Sequence, residues 1–130
     1  MTHDQPRHRR PVRPSTHLVI AAAALGVLLG WAGARPLSIL AVGNVVVWGL
    51  AAAALGLVGG TAPATALRLG VFGFTLGFAF MCFDYTGDSP LTTRVVPFAI
   101  IGVFCAVCAI AMGLAARILR IYWRRHATSG

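Results

Sequence analysis

The stretch Leu37 to Gly60, LSILAVGNVVVWGLAAAALGLVGG, carries no charge and one strongly polar side chain, Asn44. As a helix rising about 1.5 Å per residue it would be roughly 36 Å long, enough to cross a hydrocarbon core of roughly 30 Å with some tilt. It therefore predicts a membrane-spanning helix over 37–60. The other apolar stretches have to be read in the same solvent.

Composition points the same way. Of 130 residues, 58% are hydrophobic and only 11% charged, and the mean hydropathy is +0.80. A water-soluble globular domain with so little polar surface is not expected. Eleven arginines against three aspartates leave a net charge of +8. In a soluble chain that excess would point to nucleic acid. Here the arginines flank apolar runs, where they act on topology, so no nucleic-acid partner is expected. Arginine in place of lysine, together with many alanines and glycines, matches a GC-rich bacterial genome, and the expected location is the bacterial cytoplasmic (plasma) membrane.

Residues 1–16, MTHDQPRHRRPVRPST, are rich in proline, arginine and histidine and nearly free of aliphatic side chains. They cannot bury a core and are expected to form a disordered basic tail, held inside the cell near anionic lipid. Leu18 to Ala34 is the first expected span, with Ser15 or Thr16 placed to cap its start. A cleaved signal peptide is the rival reading, because Ala32-x-Ala34 follows a basic region and an apolar run. The run is longer than the usual signal core, which favours a retained span. Arg35-Pro36 then joins it directly to the second span as a tight helical hairpin.

Thr61 to Ala66 reads as a short turn in which Pro63 stops helix continuation. Arg68 marks a membrane surface, and Leu69 to Phe83, aromatic and only about 22 Å as helix, is the shortest expected span. Arg68 and Tyr85 can lengthen it by snorkelling and interfacial anchoring. Asp84 to Arg94 is the one polar loop, and Val95 to Ala116 the fourth span. From residue 117, Arg117, Arg120 and Arg124 share one helix face; with Arg125 they are expected to contact lipid phosphates on an interfacial extension, fraying from His126.

The arginines orient the set. With four spans and the N-terminus inside, nine arginines fall on the cytoplasmic side and two, Arg35 and Arg94, outside. The expected fold is all-α: an integral membrane four-helix bundle of two helical hairpins with both termini cytoplasmic. The bundle occupies residues 17–116, with spans at about 18–34, 37–60, 69–83 and 95–116, and residues 117–130 form the basic cytoplasmic end. Small residues recur at i+4 on each span, namely Ala22, Gly26, Gly30 and Ala34; Ala52, Gly56 and Gly60; Gly73 and Gly77; Gly102 and Ala106. Such stripes let helix backbones approach closely where no hydrophobic effect drives them together.

Few groups can carry chemistry. Asn44 and Thr75 lie at mid-membrane depth, as interhelical polar contacts or as ligand contacts. Thr75 can also satisfy itself on its own helix carbonyls. Cys105-x-x-Cys108 sits in the middle of the fourth span, where a thiol stays protonated and unreactive, so packing is its expected role. In the outer loop, Asp84 and Asp88 fall short of a metal site, and ion pairing with Arg94 or Arg35 is expected. No nucleophile with a base and no intramembrane carboxylate is present. Neither an enzymatic role nor a cofactor is expected. The sequence supports an accessory, assembly or scaffold subunit of a membrane complex, partnered by the bilayer, its anionic lipids and other membrane subunits or further copies. The alternative is a small oligomeric channel or transporter lined by Asn44 and Thr75.

Overall fold

The structure, a computed structural model, describes residues 16–35 and 41–127, without the side chains of residues 41 and 42. These residues are all-helical: α1 Thr16–Ala34, α2 Ala41–Leu57, α3 Ala62–Asp84 and α4 Val95–Ala127, with one 3-10 turn at Leu91–Arg94 leading into α4. Three segments are long and apolar enough to cross a membrane: α1, α3 and the continuous Leu91–Ala127. The expected basic tail, the Arg35-Pro36 connection beyond Arg35 and the last three residues lie outside the described residues.

The boundaries depart from expectation at the α2–α3 junction. Helix α2 ends at Leu57, short of the expected Gly60, and its described 17 residues make it the shortest of the four. Residues 58–60 form a bend, and Gly60 takes φ +143°, a conformation that side chains disfavour. The expected turn at Thr61 to Ala66 is instead the first turn of α3. Thr61 is its N-cap, with an extended backbone and a side chain accepting from the Ala64 N–H at 3.4 Å. Pro63 falls in the first turn, where its missing N–H costs nothing, so it starts a helix instead of stopping one. As a result α3 has 23 residues, about 34 Å, and the expected shortest span becomes a full-length one. Helix α4 runs unbroken for 33 residues, about 50 Å, and carries through His126, where fraying was expected to begin.

Helix α3 lies between α1 and α4 and packs broadly on both, while α2 leans mainly on α4 and touches α1 only lightly. The first hairpin is therefore not an intimate pair, contrary to expectation. Glycines explain the choice of neighbours. A Cβ on Gly30 of α1 would stand 2.8 Å from the Leu76 carbonyl oxygen of α3, and one on Gly26 would stand 2.6 Å from that of Phe72. Gly73 of α3 meets Cys105 and Ala106 of α4, and Gly56 of α2 meets the backbone of Gly113 of α4. Backbones this close gain dispersion contacts along the whole crossing, the main attraction left between helices in lipid. The stripes read from the sequence are thus the helix contacts, except that Gly60 lies beyond α2.

Ala22, Ala52, Leu69, Phe72, Leu76 and Ala109 form the buried core, flanked by Trp48, whose ring meets Phe80 edge to face at 5.2 Å. The outward faces are apolar instead of polar: Ile20, Leu28, Leu50, Ile100 and Phe104 are all more than half exposed. In water such continuous apolar surface would aggregate; it is the surface a bilayer solvates. At the other end of α3, Tyr85 organises the loop, donating to the Ser89 carbonyl at 3.0 Å and packing on Phe98.

Candidate functional site

Among the described residues, the arginine hydrogen bonds that join different helices gather where α2 ends and α3 begins. A helix leaves its last four carbonyls without partners in its own ladder and carries about half a negative charge at its C-terminus. At the end of α2, arginines from two other helices bond the last helix carbonyl, that of Leu57, and two carbonyls of the bend that follows it, those of Gly59 and Gly60. Arg68, two turns into α3, donates from Nη2 to the Gly59 carbonyl at 3.1 Å and from Nε to the Ala64 carbonyl at 3.2 Å. Arg117 of α4 donates to the Gly60 carbonyl at 2.9 Å, and Arg120 donates to the Leu57 carbonyl at 3.1 Å.

Thr65 ties the cluster together. It is fully buried, and its hydroxyl oxygen accepts from Arg68 Nη2 at 3.2 Å and from Arg117 Nη1 at 3.1 Å. Arg68 is also buried, only 4% exposed, so its side chain is covered by the neighbouring helices and does not snorkel outward as the sequence suggests. Because α3 begins earlier than expected, Arg68 lies inside the helix packing and turns back over the α2 end. Burying a guanidinium is costly unless its N–H groups are bonded, and here carbonyls and a hydroxyl bond it without a carboxylate.

Among the described residues the charge at this end is one-sided. The described carboxylates, Asp84 and Asp88, follow the far end of α3, with Asp84 about 24 Å along the helix from Arg68. They are exposed, as is Arg94, and the expected ion pair between either carboxylate and Arg94 is not formed. Arg120, Arg124 and Arg125 are exposed on the last turns of α4, and Arg117 is half-buried. Of the arginines expected to contact lipid phosphate, Arg117 and Arg120 thus also hold the α2–α3 turn.

Two grooves open beside the cluster. One, of about 210 Å³, lies between Gly59, Gly60, Arg117, Arg120, Ile121 and Arg124. The other, of about 590 Å³, is apolar and runs along Leu57, Ala116, Leu119 and Trp123, sharing Leu57, Arg120 and Arg124 with the first.

The mid-membrane candidates are kept apart from this end and from each other. Asn44 is buried and donates from Nδ2 to the Gly33 carbonyl of α1 at 3.4 Å. Thr75 donates its hydroxyl to its own helix, at the Val71 carbonyl (2.8 Å) or the Phe72 carbonyl (3.1 Å), with Gly26 of α1 against it. The two meet α1 at positions seven residues, about 10 Å, apart. They do not converge on one cavity. Cys105 packs its sulfur against Gly77, Cys82 and Cys108 are likewise free thiols, and no group of three metal-ligating side chains exists among the described residues. Every buried side-chain nitrogen or oxygen described has a hydrogen-bond partner.

Sequence reasoning missed Thr65 and the inward role of Arg68. The available signal was Thr61 followed by Pro63, a helix start that places Thr65 and Arg68 three residues apart on one face. No protein-family description matches the chain, and neither does any curated protein or solved structure.

Proposed function

We propose that this chain is a multi-pass four-helix membrane bundle, with both termini on the cytoplasmic side of a bacterial plasma membrane, that serves as an accessory, assembly or scaffold subunit of a membrane complex. The observation that carries the reading is the internal use of the polar groups. Asn44 and Thr75 bond to backbone carbonyls within the chain, and no buried polar side chain among the described residues is left without a partner. A pore needs a continuous polar path and an enzyme needs convergent reactive groups. Neither arrangement gains support from these contacts, whereas the apolar outer faces suit lipid or neighbouring helices.

The orientation rests on the arginines. Arg68, Arg117, Arg120, Arg124 and Arg125 lie at one end of the helices, with the basic N-terminal stretch ahead of α1 on the same side in a four-span chain. The test is the mass and composition of the particle extracted in a mild detergent with a tag after Gly130. A defined hetero-complex, with the same partners in stoichiometric amounts, is the expected result. A homo-oligomer alone that conducts ions or solutes in liposomes would overturn it.

A further inference from the structure

The cluster at the α2–α3 turn holds more positive charge than the turn can use. The end of α2 offers about half a negative charge, against the guanidinium groups of Arg68, Arg117 and Arg120 bonded around it; Arg124 lines the groove beside them. No described carboxylate lies at this end. The bonds to Leu57, Gly59 and Gly60 fix Arg68, Arg117 and Arg120 in place without neutralising them. A guanidinium has five N–H donors, and Arg120 spends one on Leu57. What remains is an ordered set of donors facing a groove of about 210 Å³, several times the roughly 30 Å³ share of a water molecule.

We propose that this groove binds the headgroup phosphate of an anionic phospholipid, with Arg117, Arg120 and Arg124 around the phosphate, Trp123 flanking the headgroup and the start of an acyl chain against Leu57 and Leu119. Arginine is suited to the task, because its planar fork matches phosphate oxygens two at a time. The second groove decides between a lipid and a soluble phosphate. It is apolar, continuous with the first through Leu57, Arg120 and Arg124, and flanked by Trp123, which is 68% exposed. A soluble phosphate would leave that surface bare. A lipid fills both grooves, head against the arginines and flanked by Trp123 at the headgroup level that tryptophan favours, with the start of its chain against Leu57 and Leu119. Arg125 lines neither groove and is outside the site.

The inference rests on the chain being a membrane protein, though not on its having subunit partners. The full chain, purified in a mild detergent, is titrated with phosphatidylglycerol, with phosphatidylcholine and with inorganic phosphate, and binding is read by native mass spectrometry and by the thermal midpoint. Phosphatidylglycerol is expected to be retained and to raise the midpoint; phosphatidylcholine and inorganic phosphate are not. The double variant R120Q/R124Q is expected to bind phosphatidylglycerol roughly thirty-fold more weakly, at about fivefold per surface arginine. R125Q is expected to bind as the parent does, and W123A to lose retention while keeping the parent's midpoint in phosphatidylcholine.

Equal response to phosphatidylcholine, equal response to inorganic phosphate, or equal loss in R125Q and R120Q/R124Q would each overturn a built lipid site. The last result would mark a merely basic surface. Binding of an acidic peptide in place of phosphatidylglycerol would overturn it in favour of a protein partner. Extraction of the chain from membranes by alkaline carbonate would instead overturn the membrane reading beneath both proposals.

Discussion

Arg117 and Thr65 stand 52 positions apart in the chain and 3.1 Å apart in space, the guanidinium donating to a hydroxyl that Arg68 also reaches. One buried oxygen thus joins α4 to α3, and through Arg117 and Gly60 it joins both to the end of α2. Thr65→Val keeps the shape and removes the acceptor, leaving two cations each short of a partner. The expected loss is about 1–3 kcal/mol, read as a lower thermal midpoint in detergent. Thr65→Ser, which keeps the oxygen, should recover most of it.

Close helix approach gives a second test. Gly56 meets Gly113 backbone to backbone, so Gly56→Ala forces α2 away from α4 and should cost about 1–3 kcal/mol as overpacking. Gly59 has nothing within 4 Å of where a Cβ would stand, and Gly59→Ala should stay within about 0.5 kcal/mol of the parent. The two positions lie three residues apart and are of one residue type. A similar response in thermal unfolding would contradict the packing described.

Asn44→Leu removes the bond to the Gly33 carbonyl. Hydrogen bonds between membrane helices average about 0.6 kcal/mol, so the midpoint should move little and any co-purifying complex should persist. Under the channel alternative the same change would abolish liposome flux. The variant therefore separates the two functional readings in one preparation.

Topology is testable by labelling. In a chain whose three cysteines are replaced by serine, Gly87→Cys should react with a membrane-impermeant maleimide in intact cells, and His126→Cys only after lysis. The reverse pattern would place the arginine-rich end outside and overturn the proposed orientation.

The helical character of the chain, and the glycine stripes that became its contacts, were legible because spacing along a helix fixes which residues share a face. Gly26 and Gly30, or Gly73 and Gly77, needed no partner to be recognised. Which helix each stripe meets was not legible. The short Arg35-Pro36 connection suggests an α1–α2 pair, yet α1 fits the backbone of α3 around Phe72 and Leu76, a complementarity that exists only between elements distant in sequence. The burial of Arg68 was not legible for a related reason. Beside an apolar run it reads as a snorkelling side chain, and only the end of α2 folded over it supplies the carbonyls that permit burial.

No helical glycine among the described residues is exposed. The notches that allow the closest helix crossings are occupied by the chain's own neighbours, and the outside shows mostly bulky branched and aromatic side chains. A transmembrane partner that packs through glycine must therefore bring the glycines itself, since the small residues exposed on this chain are alanines such as Ala111 and Ala115, one helical turn apart. In such a pair the recognition code would be written in the partner's glycines, with Ile100 and Phe104 of this chain as the knobs they receive.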